Sequence, residues 1–311
     1  MEKQIDLYLL TGFLGAGKTT VLKEILKLSE NRKIGVIMNE FGKTGIDGGL
    51  VSDRSAELIE INRGSIFCDC LKLSFIESLK DMADKPLDAI FVEGSGLADP
   101  SNIGDLLEMT ATLVGERYNY RGSICVVDAP NFLEQSQDIE AMNRQIKFSH
   151  LAVISKNDLV DEETIHAVAE RIQDHNSDIQ IVQGAFGRLP FNLFDQDLRK
   201  GKAIQSDDTT NKKDNKPKTL TLSVFEPVRE EALEAFLKQL SPSAYRMKGH
   251  LNVIGKGMIQ VDVVNQRIDY KAAPEDKETQ LVILSKIGPQ IIRPIVDLWE
   301  THVNASYKLR N

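Results

Sequence analysis

Gly12-Phe13-Leu14-Gly15-Ala16-Gly17-Lys18-Thr19 fits the pattern G-x-x-x-x-G-K-[ST], and its surroundings decide how the chain is read. The apolar run Leu7-Tyr8-Leu9-Leu10 precedes it, and Val21, Leu22, Ile25, Leu26 and Leu28 follow at helical spacing. Strand, glycine loop and helix therefore arrive in the order that a phosphate cradle needs. The glycines allow the backbone N–H groups of Gly12, Gly15, Ala16 and Gly17 to converge on phosphate oxygens, where the helix N-terminus adds its own unpaired donors and positive dipole end. Lys18 is expected to reach the β- and γ-phosphates, Thr19 to ligate Mg²⁺ and Thr20 to touch the α-phosphate.

Further strands carry the rest of such a site. Ile34 to Met38 reads as a buried strand that opens into the polar, glycine-rich loop Asn39 to Gly49, where an open parallel sheet places ligands. Within it, Asp47 is expected near the Mg²⁺ or its waters, with Glu40 as a spare carboxylate. Pro86 to Val92 is another strand, running into Glu93-Gly94-Ser95-Gly96-Leu97-Ala98-Asp99-Pro100. An acid at the tip of an apolar strand beside the glycine loop suits Mg²⁺ held through water, and Gly96 lets a backbone N–H approach the γ-phosphate. Arg121 to Asp128 is a strand with Cys125 as a small core residue, and Phe132 to Phe148 reads as one helix.

Leu151 to Ile154 ends in Ser155-Lys156-Asn157-Asp158, which approximates an Asn-Lys-x-Asp element. There Asp158 would accept from guanine N1–H and the 2-amino group, which adenine cannot offer, and the Lys156 stem would cover the base plane. Ser155 replaces the usual Asn, and its hydroxyl can still tie this loop to the glycine loop. Ile179 to Val182 leads into Gly184-Ala185-Phe186-Gly187, where the Ala185 N–H could meet the guanine O6. An ATP-dependent kinase is disfavoured, because Lys156 and Asp158 would then have no task.

Leu58 to Ile61, a short strand, leads to Ser65-Ile66-Phe67-Cys68-Asp69-Cys70. Two thiols one residue apart can chelate a soft or borderline ion such as Zn²⁺ or Cu(I), but a tetrahedral site takes about four ligands. Glu40 is the next candidate, with a remaining ligand from elsewhere in the chain or from a second copy in a homodimer. The plainer alternative is a pair of reduced thiols that hold no metal.

Alternating strands and helices over residues 1–197 indicate a doubly wound, mostly parallel α/β domain. Residues 198–218 are polar and aperiodic, as a flexible linker would be. Residues 219–311 run strand, helix, strands, helix, which suits a small α+β, ferredoxin-like layer; a strand is expected over Thr219 to Phe225 and helices over Arg229 to Leu240 and Pro289 to Val303. The net charge of −8 argues against nucleic acid or an anionic membrane as the main partner. Three cysteines without disulfide spacing, and no signal-peptide layout over Met1 to Leu10, lead to the expectation of a cytoplasmic protein.

Taken together, these segments resemble the CobW-like P-loop GTPases, relatives of the nickel-insertion GTPases of urease and hydrogenase. The matching pieces are Thr11 to Thr20, Asn39-Glu40-Phe41-Gly42 with Gly45-Ile46-Asp47, Gly64 to Cys70, Glu93 to Pro100, Ser155 to Leu159, and in the second module Tyr245 to Gly249 and Leu281 to Gly288. The resemblance implies a Mg²⁺-dependent GTPase that delivers a metal ion, zinc or cobalt, or a metal-containing cofactor to a client metalloprotein or corrinoid protein. It implies catalytic roles for Lys18, Glu93 and Asp47, and slow turnover until a client or dimerisation stimulates it, since no arginine is placed as an internal finger. Many relatives carry Cys-x-Cys-Cys where this chain has Cys68-Asp69-Cys70. A GTP-dependent regulatory or scaffold protein that carries no metal is the alternative.

Overall fold

The computed structural model describes residues 3–29, 32–39, 56–61, 72–201, 203, 204, 207, 218–264 and 266–310, which form two compact units, Met1–Asn215 and Lys216–Asn311. In the first, strands β1 (Ile5–Gly12), β2 (Ile34–Asn39), β3 (Ala56–Ile61), β4 (Ala89–Glu93), β5 (Tyr118–Asp128), β6 (Leu151–Ser155) and β7 (Gln180–Gly184) make one sheet in the order β3-β2-β4-β1-β5-β6-β7. Every described pairing in it is parallel. The connecting helices are α1 (Lys18–Lys27), α2 (Lys72–Ala83), α3 (Ile103–Val114), α4 (Ala129–Asp138), α5 (Glu140–Lys147) and α6 (Glu162–His175).

Alternation along β1 shows why both faces must be covered. Ile5, Leu7 and Leu9 pack with Phe75, Leu79 and Met82 of α2 and Ile103 and Leu106 of α3. Tyr8 and Leu10 point the other way, onto Val21, Leu22 and Ile25 of α1. Each such side chain, fully buried, stabilises the fold by about 1.5–3 kcal/mol relative to exposure. The chain runs outward from β1 in both directions, so the order reverses beside β1. The loops leaving β1, β4, β5, β6 and β7 accordingly share one edge of the sheet, the edge where doubly wound folds hold ligands.

One expected element differs. The helix read from Phe132 to Phe148 is two helices, α4 and α5, broken at Ile139, whose φ of −109° and ψ of 93° are extended. The break turns α5 toward the loop that follows β4, where Arg144 and Gln145 make their contacts.

The second unit has strands β8 (Thr219–Val224), β9 (Ala244–Val253), β10 (Gly257–Val264), β11 (Arg267–Ala272), β12 (Gln280–Ser285) and β13 (Tyr307–Arg310), with α7 (Glu230–Leu240) and α8 (Ile292–Leu298). Its antiparallel sheet runs β11-β10-β9-β12-β8-β13. Taking β8, β9, β12 and β13 as first to fourth gives the order 4-1-3-2 of a ferredoxin-like layer; β10 and β11 are a hairpin added at its edge. Leu220, Leu222 and Val224 alternate inward from β8 and meet Leu233, Phe236 and Leu240 of α7. Trp299 stacks edge-on against Phe236 at 4.9 Å between ring centres, and its indole N–H donates to the Ala305 carbonyl at 2.8 Å. The helix expected over Pro289 to Val303 opens as a 3-10 turn at Gly288–Ile291 and closes as a π turn at Trp299–Val303, around α8. Among the described residues no helix is long and apolar enough to cross a membrane.

Candidate functional site

The loop between β1 and α1 is shaped by its neighbours. Gly12 has φ of +133°, and a side chain there would meet the Val126 carbonyl oxygen at 2.3 Å, so only glycine lets β1 turn over β5. Gly17, at φ 98° and ψ 20°, starts α1 from the left-handed region. The buried Lys18 ammonium donates to the Gly12 carbonyl at 2.8 Å and the Phe13 carbonyl at 3.0 Å, which places its charge within the curl of the loop. Gly15 and Ala16 lie between these anchors, and Thr20 is exposed on the first turn of α1.

Thr19 and Glu93 meet across the sheet edge. The Thr19 hydroxyl donates to Glu93 Oε1 at 2.9 Å, and the Glu93 carboxylate is only 5 % exposed. A hydroxyl and a carboxylate held together next to the helix N-terminus form an oxygen donor set that fits Mg²⁺, a hard ion bound through one or two protein oxygens and its own waters. Gly96 lies directly against the loop: a side chain on it would meet the Leu14 amide nitrogen at 2.6 Å. The segment that follows is clamped from α5. Gln145 donates to the Ala98 carbonyl at 2.9 Å, and Arg144 Nε donates at 2.7 Å to Asp99, which is completely buried and also caps the 3-10 turn at Pro100–Asn102.

On the other side of β1, Ser155 Oγ lies 2.7 Å from the Ala16 carbonyl and 3.0 Å from that of Val127, so its one proton tethers the end of β6 to the glycine loop and to β5. Lys156 follows in the left-handed conformation, φ 55°, and its ammonium pairs with Asp128 Oδ2 at 2.8 Å. Asp158 is exposed in the 3-10 turn Asn157–Leu159. Ala185 begins the 3-10 turn Ala185–Gly187, and Gly187 sits against the Thr20 backbone of α1. The residues expected at phosphate and base thus share one sheet edge. Asp47, Glu40, Cys68 and Cys70 lie outside the described residues.

Cys125 is buried in β5 opposite Thr11, and desolvation pushes its thiol up to about 12, so it stays protonated and packs as a small core residue. Among the described residues no group of three or more His, Cys, Asp or Glu is disposed to hold a metal. Sequence reasoning missed Arg144, Gln145 and Asp128. The first two act across dozens of residues and carry no local signal. Asp128 carried one: it is an acid ending an apolar strand, the mark that singled out Glu93.

Known proteins resemble the chain in each of its two units. Residues 6–183 match the family described as CobW/HypB/UreG, nucleotide-binding domain, and residues 218–293 match the cobalamin synthesis protein CobW C-terminal domain. The chain is 34% identical over 176 residues to the zinc chaperone YjiA of Escherichia coli K12, a match covering 54% of this chain and about half, 54%, of that protein's length. It is 25% identical over 338 residues to the zinc chaperone CobW of Sinorhizobium sp, covering 91% of this chain and 93% of the relative. The crystal structure of Zn(II)-bound YjiA GTPase from E. coli superposes with a TM-score of 0.48 at 22% identity, over 95% of this chain and 99% of that one.

Proposed function

Because the chain belongs to the CobW/HypB/UreG family of P-loop GTPases, we propose that it hydrolyses GTP to GDP and phosphate with Mg²⁺ and couples turnover to delivery of a metal ion, in the first instance zinc, to a client protein. The observation that carries the hydrolytic part is the contact of the Thr19 hydroxyl with the buried Glu93 carboxylate, one residue from the Lys18 ammonium. Phosphoryl transfer leaves a protein little to do beyond positioning and charge compensation. Backbone N–H groups of the glycine loop and Lys18 hold the β- and γ-phosphates, and Glu93 orients water at the γ-phosphate. Thr19 and Glu93 would hold Mg²⁺, which when bound neutralises the phosphate oxygens. Asp158 and Lys156 select and cover the guanine base. Turnover is expected to be slow until a client or a second copy of the chain engages.

Zinc as cargo is supported by the names of the relatives and by Cys68 and Cys70, with Glu40 as a further ligand. Cobalt, as the ion or on its way to a corrinoid client, would use the same machinery, and the titration below separates cobalt from zinc. The partner is a protein rather than nucleic acid or a bilayer, in keeping with the net charge of −8, and the setting is the reducing cytoplasm. The test is GTP turnover by the full chain, together with titration of the reduced, GTP-loaded protein with Zn²⁺, Co²⁺ and Cu(I), repeated on the Cys68→Ser, Cys70→Ser variant. GTP-stimulated metal binding that the variant loses supports delivery. Turnover with equal metal binding in the variant removes the thiols from the cargo site and favours a GTP-dependent scaffold.

A further inference from the structure

Asp128 and Lys156 meet where two parallel strands end side by side. Asp128 closes β5, Ser155 closes β6 as its register partner, and Lys156 is the next residue. The Lys156 ammonium reaches Asp128 Oδ2 at 2.8 Å, and Asn131, from the first turn of α4, donates to the same oxygen at 3.0 Å. Asp128 is 5 % exposed, and its other oxygen, Oδ1, is buried with no hydrogen-bond partner among the described residues. A desolvated carboxylate placed in this way leans on the two donors it has. Withdrawing Lys156 would leave a buried charge held by one neutral amide, which is strongly unfavourable.

Lys156 is constrained from its backbone as well. Its φ of 55° and ψ of 28° lie in the left-handed region, which a side chain with a Cβ enters only when its surroundings hold it there. Ser155 fixes the residue before it to the glycine loop, and the Leu159 amide closes a turn onto the Lys156 carbonyl at 3.0 Å. With the backbone fixed at one end and the ammonium at the other, the methylene stem between them has few conformations left, and it remains partly exposed at the sheet edge. A flat, apolar base face laid on that stem meets a surface already ordered, so little entropy is lost on contact.

We propose that Asp128 is the positioning residue of the base pocket: by holding the Lys156 ammonium it sets the lysine stem as the platform on which the nucleotide base stacks, whatever the base's edge carries. This rests on the reading of residues 155–158 as the base-recognition element. It divides the labour of the pocket: Asp158 reads the base edge, and the Asp128–Lys156 pair supplies affinity without regard to it.

The experiment is equilibrium binding of GTP, ITP, XTP and ATP to the full-length protein and to Asp128→Asn, Lys156→Met, the double variant and Asp158→Asn. Asp128→Asn should weaken GTP and ITP by the same factor, roughly tenfold or more, in line with loss of a charge-assisted hydrogen bond. In the Lys156→Met background, which keeps a stem and removes the ammonium, Asp128→Asn should change nothing further. Asp158→Asn should instead alter the ranking of GTP against XTP. An equal loss from Asp128→Asn with or without the Lys156 ammonium would overturn the proposal, as would a loss confined to GTP, which would make Asp128 a reader of the 2-amino group. A wild-type protein that prefers ATP would refute the guanine reading alone, because the coupling of Asp128 to Lys156 would then register on ATP. Melting curves of each variant separate a binding loss from a folding loss, and Asp128→Glu, which keeps the charge, should recover part of the affinity.

Discussion

Lys18 supplies the positive charge at the centre of the phosphate loop, where its ammonium donates to the loop's own Gly12 and Phe13 carbonyls. Lys18→Ala is therefore expected to weaken GTP by about 2–5 kcal/mol, as truncation of one member of a desolvated charged contact does, while the melting temperature barely moves. Calorimetric titration reading unchanged GTP affinity would remove this loop from the site. Ser155→Ala deletes one shared hydroxyl proton and should cost about 1 kcal/mol in urea unfolding, with a larger penalty on nucleotide binding than on stability, because the Ala16 carbonyl it tethers belongs to the phosphate loop. At this scale the sequence was informative wherever the chemistry is local. The order of glycines, Lys18 and Thr19 carries its geometry within eight residues, so those positions could be assigned by eye. The meeting of Thr19 with Glu93 spans 74 residues and was inferable only through the motif. The pairing of Lys156 with Asp128 had no such guide, and it became visible once β5 and β6 were known to be neighbours.

Among the elements, α5 does the most for the site from a distance. It contributes no residue to the phosphate loop, yet Arg144 and Gln145 on two successive positions hold the segment that carries Gly96. Arg144→Met should destabilise the protein by about 3 kcal/mol, because it takes a charged donor away from the fully buried Asp99 carboxylate, and the accompanying shift of residues 94–100 should lower turnover more than it lowers GDP affinity. Denaturant titration and single-turnover hydrolysis read the two effects separately, and a variant as stable as wild type would show that Asp99 is satisfied without the arginine. The break that frees α5 from α4 was not legible: neither Asp138 nor Ile139 is a helix breaker, and the apolar spacing continues across them. The extended backbone at Ile139 is a tertiary choice that lets each short helix face its own partner, and such choices override local preference. The strands around the site were easier, since buried parallel strands are near-continuous apolar runs. β13 escaped notice because four residues of alternating exposure give too little pattern.

For the molecule as a whole, acid should act on the second unit through His250. Burial, with Lys277 and Lys248 nearby, lowers the pKa of this ring below the ordinary histidine value. The unfolded chain thus takes up a proton at higher pH than the folded one, so the stabilising contribution is complete above the ordinary value of about 6.5 and is lost as pH falls toward the folded pKa. Melting of the full chain from about pH 7.5 down to 5.5 should show a steeper decline for wild type than for His250→Gln; parallel curves would dismiss the ring as the cause. The hairpin that extends the ferredoxin-like sheet has a different bearing on the protein's life in a crowded solution. Its last strand, β11, ends the sheet on that side and would offer a row of unsatisfied amides to any passing extended chain, were it not for Arg267, Asp269 and Lys271 along its exposed length. These charges make it a poor template. Replacing all three with valine should leave GTP turnover intact and add a self-association that grows with time and concentration, which sedimentation velocity would reveal against the wild type. The charged rim of β11 is in this sense a guard against unwanted polymerisation, and it lets the sheet grow by two strands without inviting a third from a neighbour.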